Sequence, residues 1–598
     1  MKNIILFLLV LLSLAFHCYN LEYASYELDE AVHVWHAQKP YAEVVEQASN
    51  DPNPPIYNLI ISAWVKTFGV SEFSTRFFSV LMGVLAIVAM FFVASRNFGL
   101  TVGIVAALFL CFSPIQFRFT HLARPYSLLM LTVILSYGAM FEAMKKPKGW
   151  RLFLYYLFST LMIYVHPTSV FNIPAQGLIA LRNFKKDYRV ILKFALVMLA
   201  AVASFGIWMI SIPYFERDDT MWFGPPAWDQ IYHVIRVFYG GIGLIILQLG
   251  VLLVLGITAI RNRKSGSNTQ WLDLLLWLLI PAIASIAFSY LVKPIFQDKY
   301  ILSVQPAAML LLAASIYQTG KWLRIPLYIT AFSLVIWSID LKPKAEDDWK
   351  SSVEYVMPKL DKNSAVLIDP WYEYRTFAFY FDQHAYELPD STYKILVAKR
   401  VFTAWEDVYD VANNRPKTDV VYVMSGHEGF VTPIVSFSTL DSLATLTGLK
   451  RYPGVTIRTY SFSSSLDTLA FKKLDFSSEK GEVKRIGKED EFPASIVVPL
   501  SNANPERLAQ INASVEIVSG KDLDGLNFVV TVEKPDQPFL IYLVVNVKKE
   551  LEKSYNGNTI SVSTAVDNFD QYCVVKVYLW NSKRTELEID NLQVIIKN

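Results

Sequence analysis

Cysteine is almost missing: three residues in 598, with Cys18 and Cys111 inside apolar runs and Cys573 far from both. That spacing builds neither a disulfide framework nor a thiolate metal site. Charge is sparse too, at 18% Asp, Glu, Lys and Arg, and the two signs nearly cancel to a net +2. No basic stripe interleaved with aromatics occurs outside short loops, which excludes nucleic acid as a main partner. There is no internal repeat. The first apolar run, residues 4–21, lacks a small-x-small cleavage site, and His17 before Cys18 is wrong for a lipoprotein box, so the run reads as a retained helix rather than a signal peptide.

What the chain does have is apolar length. It is 53% hydrophobic, and the apolar residues crowd into the first 341 positions, which implies a membrane solvent. A crossing needs about 20 apolar residues for a layer roughly 30 Å thick. Candidate crossings are 4–21, 77–95, 99–115, 126–144, 152–168, 169–181, 190–212, 237–260, 271–291, 300–318 and 323–341, about eleven in all. The weakest pair is 152–168 with 169–181, where Pro167 and Pro174 interrupt one continuous stretch.

Lys2, Arg96, the Lys145–Arg151 cluster, Arg182 to Arg189, Arg261 to Lys264 and Lys321 with Arg324 fall in alternate loops. By the positive-inside rule those loops and the N-terminus are cytoplasmic, and residues 342–598 lie outside, in the manner of a bacterial inner-membrane protein.

The remainder is mixed. Residues 342–460 alternate helix-like and strand-like segments, with "DDWKSSVEYVMPKL" and 437–448 read as helices and "SAVLIDP" and "DVVYVMSG" as strands, a small α/β domain. Residues 465–598 carry short alternating strands that favour a β-sandwich. The serine- and charge-rich 461–495 stretch reads as a linker. Tyr572, Tyr578 and Trp580 suit sugar stacking, but filling the core between sheets is the favoured reading.

Ionisable groups beside span ends are functional candidates by default. In "YELDEAVHVWHAQ", Asp29, Glu30, His33 and His36 follow the first run, and helical spacing puts Asp29, His33 and His36 near enough to share a proton or a divalent metal. A solvated surface helix is the bland alternative. "DPNPPIYNLI" is a proline-stiffened helix entry that presents Asp51, Asn53 and Tyr57. "SPIQFRFTHLARPYSLLML" carries Arg118, His121 and Arg124, with arginine suited to phosphate oxygens; snorkelling to head groups is its alternative. "KPIFQDKYIL" places Lys293, Lys299 and Tyr300 on the outer side, against the charge rule, and suggests an anionic ligand. His166, ending the 152–168 run, joins the substrate-binding candidates.

Together with "GVSEFSTRFFSVLMGVLAI", these motifs resemble the family 39-like glycosyltransferases, the ArnT-like and protein O-mannosyltransferase-like membrane enzymes of GT-C fold. The likeness is strongest over residues 1–180. It implies an extracytoplasmic enzyme that takes a sugar from a polyprenyl-phosphate donor and delivers it, with inversion, to a glycan, lipid or protein acceptor. Residues 22–76 correspond to the family's catalytic outer loop. Asp29 falls on its catalytic carboxylate, with Glu30 as partner. Arg124 takes the basic position of the second outer loop, and Lys299 with Tyr300 a basic-plus-tyrosine pair, with lysine where arginine is usual. Asn53 stands where many relatives have histidine. His121 joins Arg124 and Lys299 as a phosphate-binding candidate. A metal ion is possible in such enzymes. The competing readings are a transporter or flippase of a lipid-linked substrate, and a non-catalytic anchor whose sandwich binds glycans.

Overall fold

The computed structural model describes residues 2–49, 53–184, 187–212, 224–261, 270–342, 345–403, 418–426, 440, 444–462, 468–474, 484–487, 490–505, 508–520, 523, 525–534, 539–551, 558–567 and 569–598. The chain forms two compact units, Met1–Lys344 and Ala345–Asn598.

The first unit is helical. Its elements are α1 (Lys2–His17), α2 (Leu28–Ala37), α3 (Tyr41–Ser49), α4 (Ile56–Phe68), α5 (Glu72–Phe98), α6 (Leu100–Cys111), α7 (Pro114–Thr120), α8 (Tyr126–Lys145), α9 (Gly149–Val165), α10 (Asn172–Asn183), α11 (Tyr188–Ser211), α12 (Trp228–Tyr239), α13 (Ile242–Arg261), α14 (Gln270–Leu291), α15 (Gln305–Tyr317) and α16 (Lys321–Trp337). Local chemistry sets several starts. Ser71 caps α5 by accepting from the Ser74 N–H at 3.2 Å, Ser113 caps α7 with Pro114 behind it, and Glu27 opens α2 in a capping box with Glu30.

Among the described residues, α5, α8, α11 and α14 are long and apolar enough to cross a membrane. Two bent pairs, α6 with α7 at 57° and α12 with α13 at 83°, raise the number to six if each pair is one crossing, and α1 and the 302–317 stretch are shorter apolar segments. This is the pattern of a multi-pass membrane protein; length and composition account for four to six of the eleven expected crossings. The expected 169–181 helix begins as a 3-10 turn, Pro167–Phe171, and continues as α10, only 12 residues long. The expected 300–318 helix likewise opens with 3-10 turns around Asp298–Tyr300 and Leu302–Val304. Residues 22–76, which the resemblance implies to be an outer loop of short helices, hold the short helices α2, α3 and α4 and the start of α5.

Small residues let the helices meet closely. A Cβ at Gly83 of α5 would lie 2.5 Å from Thr120 Cγ2 and 2.8 Å from Gln116 Nε2 of α7, and one at Gly138 of α8 would lie 2.5 Å from Val93 Cγ2 of α5.

The second unit begins with α17 (Trp349–Val356) and a five-stranded sheet ordered β2-β1-β3-β5-β4: β1 (Ser364–Asp369), β2 (Val401–Thr403), β3 (Val420–Ser425), β4 (Thr445–Tyr452) and β5 (Val455–Ser461). β1 runs parallel to both β2 and β3, while β5 is antiparallel to β3 and β4. α18 (Tyr374–Phe381), α19 (Gln383–Tyr386) and α20 (Thr392–Ala398) connect β1 to β2. Residues 445–448, expected in a helix, lie in β4, because pairing with β5 outweighs their helix-like spacing; most of 437–444 falls outside the described residues.

Two further sheets share one core. One is ordered β11-β10-β13-β8, from β8 (Ser495–Pro499), β10 (Leu526–Glu533), β11 (Ile541–Asn546) and β13 (Val574–Asn581). The other is β12-β9-β14-β6, from β6 (Thr468–Leu474), β9 (Ala509–Gly520), β12 (Thr559–Val566) and β14 (Leu587–Lys597), with β7 (Lys484–Ile486) also on β14. Phe528, Val530, Val577 and Leu579 of the first meet Ile511, Val515, Ile589 and Val594 of the second, the layering of a β-sandwich. The supposed linker therefore contributes strands β6 and β7, a pairing that composition does not reveal. Tyr578 and Trp580 alternate with core-facing Val577 and Leu579 and lie on the outer face, and Tyr572 is 63% exposed, so these aromatics do not fill the core.

Candidate active site

The site collects at one end of the helical unit, where α2, the start of α5, the 121–125 turn, the end of α9 and the 298–300 turn meet. Its foundation is a residue that the sequence reading passed over. Arg76, in the second turn of α5, is 1% exposed. Its five N–H groups are all used: Nε and Nη2 donate to the Glu30 carboxylate at 3.0 and 2.9 Å, Nη1 donates to the carbonyls of Leu21 and Ala24, and Nη2 to that of Ser25. Glu30, wholly buried, also accepts from its own helix start at Glu27 N–H, 3.1 Å, and from Ala123 N–H at 2.7 Å. One carboxylate thus ties α2, α5 and the 121–125 turn together. The available signal for Arg76 was an arginine at the mouth of an apolar run, the criterion already applied to Arg124.

The turn is pinned from other sides as well. Ser79 Oγ donates to the Leu122 carbonyl at 2.7 Å, and His121 sits with Nε2 2.9 Å from the Tyr19 carbonyl and Nδ1 2.8 Å from that of Phe117. Each ring nitrogen of His121 therefore faces a backbone carbonyl, to one of which the neutral ring donates, and the residue is 4% exposed.

On this platform Arg124 faces α2. Its Nη2 is 3.1 Å from the Asp29 carboxylate, and its Nη1 is 2.7 Å from His33 Nδ1 and 3.3 Å from the Asp29 carbonyl. His33 Nδ1 also lies 2.9 Å from the Asp29 carbonyl, so the guanidinium and that carbonyl meet at one ring nitrogen. Burial and the Arg124 charge hold the His33 imidazole well below its ordinary range, against the pull of Asp29. Lys299 Nζ is 3.9 Å from the same Asp29 oxygen. Asp29 is 51% exposed while Arg124 is 12% and Lys299 27% exposed, so a half-open carboxylate stands before two better-covered cations.

Aromatics complete the wall. Arg124 lies over Tyr126 and bonds its hydroxyl at 3.4 Å. Tyr126, His166 and Tyr300 follow one another at ring separations of 6.1 and 5.4 Å. His166 Nδ1 is 2.9 Å from Thr168 Oγ1, which donates to the Tyr300 carbonyl, also at 2.9 Å. Arg118 pairs with Asp298 at 2.7 Å and braces the same turn. Tyr57 is buried with its ring 6.2 Å from that of His33, and its hydroxyl has no hydrogen-bond partner among the described residues.

The structure thus brings together Asp29, His33, Tyr57, Arg124, His166, Lys299 and Tyr300. Glu30, Arg118 and His121 lie behind them in the supporting network. His36 packs against Trp35, Asn53 stands just before the α4 entry, and Asp51 falls outside the described residues. Among the described residues no three His, Cys, Asp or Glu side chains converge as a metal set.

Residues 52–208 match the family model described as dolichyl-phosphate-mannose-protein mannosyltransferase. That stretch contains Arg76, Arg118, His121, Arg124 and His166, and ends before Lys299. No curated protein matches the chain. Among solved structures, the chain is similar to ArnT from Cupriavidus metallidurans in the apo state, at 14% identity over 77% of this chain and 98% of that one, TM-score 0.49. It is similar to ArnT of the same organism bound to undecaprenyl phosphate at 13% identity, with the same coverage and TM-score. It is also similar to the archaeal oligosaccharyltransferase AglB from Archaeoglobus fulgidus in complex with an inhibitory peptide and a dolichol-phosphate, at 9% identity over 98% of this chain and 95% of that one, TM-score 0.39.

Proposed function

We propose that this chain is a membrane glycosyltransferase that moves a sugar from a polyprenyl-phosphate carrier to a glycan, lipid or protein acceptor on the extracytoplasmic side. The observation that carries the reading is Asp29 held 3.1 Å from Arg124 and 3.9 Å from Lys299 at one end of a membrane helix bundle. The match of residues 52–208 to a mannosyltransferase family supports it.

The chemistry follows from the residue types. When the bond from the sugar's anomeric carbon to the phosphate oxygen breaks, the phosphate leaves with the electron pair and gains negative charge. Arg124 and Lys299 supply positive charge where it develops, beside the rings of Tyr126, His166 and Tyr300. A phosphate oxygen entering between the two cations takes the place that the Asp29 carboxylate holds. Asp29 is then released to draw the proton from the acceptor hydroxyl as its oxygen attacks from the opposite face, which inverts the anomeric centre. His33, neutral, holds Arg124 in orientation. Tyr57 offers its hydroxyl to a sugar or phosphate oxygen. Glu30, Arg76 and His121 fix the turn that carries Arg124.

Transfer from a synthetic polyprenyl-phosphate sugar by the purified full-length chain tests this. Asp29→Asn lowers turnover by about 10²–10⁴-fold, and Arg124→Ala by about 10²–10³-fold. Undiminished transfer by either variant removes that residue from the mechanism.

A further inference from the structure

One nitrogen of His166 is left without work by the groups around it. The residue ends α9 and is 6% exposed, and its Nδ1 stands 2.9 Å from Thr168 Oγ1. A threonine hydroxyl has a single hydrogen, and that of Thr168 goes to the Tyr300 carbonyl, also at 2.9 Å. The bond between ring and hydroxyl is therefore donated by Nδ1–H. A second proton on the ring would meet the charges of Arg124 and Lys299, both of which act on it. His166 is thus the neutral tautomer with a bare lone pair on Nε2. Among the described residues Nε2 has no hydrogen-bond partner, and it is not one of the polar atoms sealed inside the protein.

Its neighbours say what that lone pair meets. The ring lies between those of Tyr126 and Tyr300, at 6.1 and 5.4 Å. Arg124 covers the first of these tyrosines at 5.6 Å and Lys299 the second at 5.5 Å. His166 accordingly stands on the wall between the two cations assigned to the carrier phosphate. It is no phosphate ligand itself, because a lone pair turned toward phosphate oxygens repels them. It needs an O–H. On a sugar joined to that phosphate through its anomeric carbon, the nearest hydroxyl is the one on the adjacent ring carbon.

We infer that His166 Nε2 accepts a hydrogen bond from the hydroxyl beside the anomeric carbon of the donor sugar, so that carriers of 2-hydroxy sugars are selected over carriers of 2-deoxy sugars. Thr168 and the Tyr300 carbonyl are positioning groups that fix the tautomer. The inference rests on the glycosyltransferase reading. Its physical basis is that a covered acceptor left without a donor is costly, so a sugar lacking this hydroxyl loses transition-state binding.

Transfer by the purified full-length chain from synthetic polyprenyl-phosphate hexoses and pentoses, each beside its 2-deoxy form, tests it. The quantity read is the ratio of kcat/KM for the two forms. In the native chain the hydroxylated donor is favoured about 10–100-fold. In His166→Ala the ratio falls to within about threefold, because no lone pair remains to be left unpaired. His166→Gln, whose amide oxygen also accepts, keeps part of the preference. Thr168→Val removes the oxygen that fixes the tautomer and lowers the ratio as well, which keeps the test decisive if His166→Ala fails to fold. A native ratio near one, or variants that slow both forms equally, overturns the assignment and leaves the glycosyltransferase reading standing. Absence of transfer from every one of these donors overturns that reading, and the assignment with it.

Discussion

Glu30 adjoins the proposed base and does different work. Its bidentate bond to Arg76 is fully buried, and loss of one partner leaves the other charged in a place water does not reach. Glu30→Ala or Arg76→Ala destabilises the helical unit by about 3–5 kcal/mol, read as a lower melting temperature of the purified protein. Replacing both, Glu30→Leu with Arg76→Met, recovers part of that loss, though not the bond to Ala123 N–H. Histidine sets a pH response. Burial and Arg124 lower the His33 pKa from 6.5 to about 3, and burial lowers that of His121. An unfolded chain therefore takes up protons that the folded one refuses, so stability is complete above about pH 6.5 and declines as pH falls below it. Thermal unfolding across pH checks this: His33→Gln has a shallower acid-side slope than the native chain. Asp29, Arg124 and Lys299 are legible as candidates because charge beside an apolar run is costly. That they approach one another is not, since no periodicity links residues so far apart, and only the family resemblance joins them. Glu30, which the resemblance sets as partner to Asp29, is held by hydrogen bonds to Arg76 and the Ala123 N–H that no periodicity foretells.

At the level of elements, close helix approach governs the site. Gly83 is what allows α7 against α5, and α7 leads into the turn that carries Arg124. Gly83→Ala pushes Thr120 and Gln116 away, costs about 1–3 kcal/mol, and lowers transfer by displacing Arg124; melting temperature and turnover fall together. In the second unit, Gly454 turns the β4–β5 hairpin at φ +65°, where a Cβ would collide with the Asp347 carboxylate and the Glu346 carbonyl. Apolar runs announce helices such as α5 and α8 well, because each is a single continuous stretch. They do not reveal breaks: the 167–171 and 298–304 segments fall within or at the edge of expected crossings yet wind as 3-10 turns. Strands β6 and β7 were obscured for a different reason, since their partner β14 lies far away in sequence, while in β4 pairing with the neighbouring β5 outweighs local helix preference.

For the molecule as a whole, the division into an apolar helical unit and a β-rich unit is plain from composition. The second unit has its own buried clusters, one between the two sandwich sheets and one on the mixed sheet. Residues 345–598 expressed alone therefore fold as a soluble protein with a β-rich circular dichroism spectrum and a cooperative thermal transition; a broad, non-cooperative melt contradicts this. The bond between Asp29 and Arg124 has a pharmacological corollary. An anionic compound made to imitate the carrier must first evict a resident carboxylate, which caps its potency, whereas a zwitterion offering a cation to Asp29 and an anion to Lys299 leaves the native pair undisturbed.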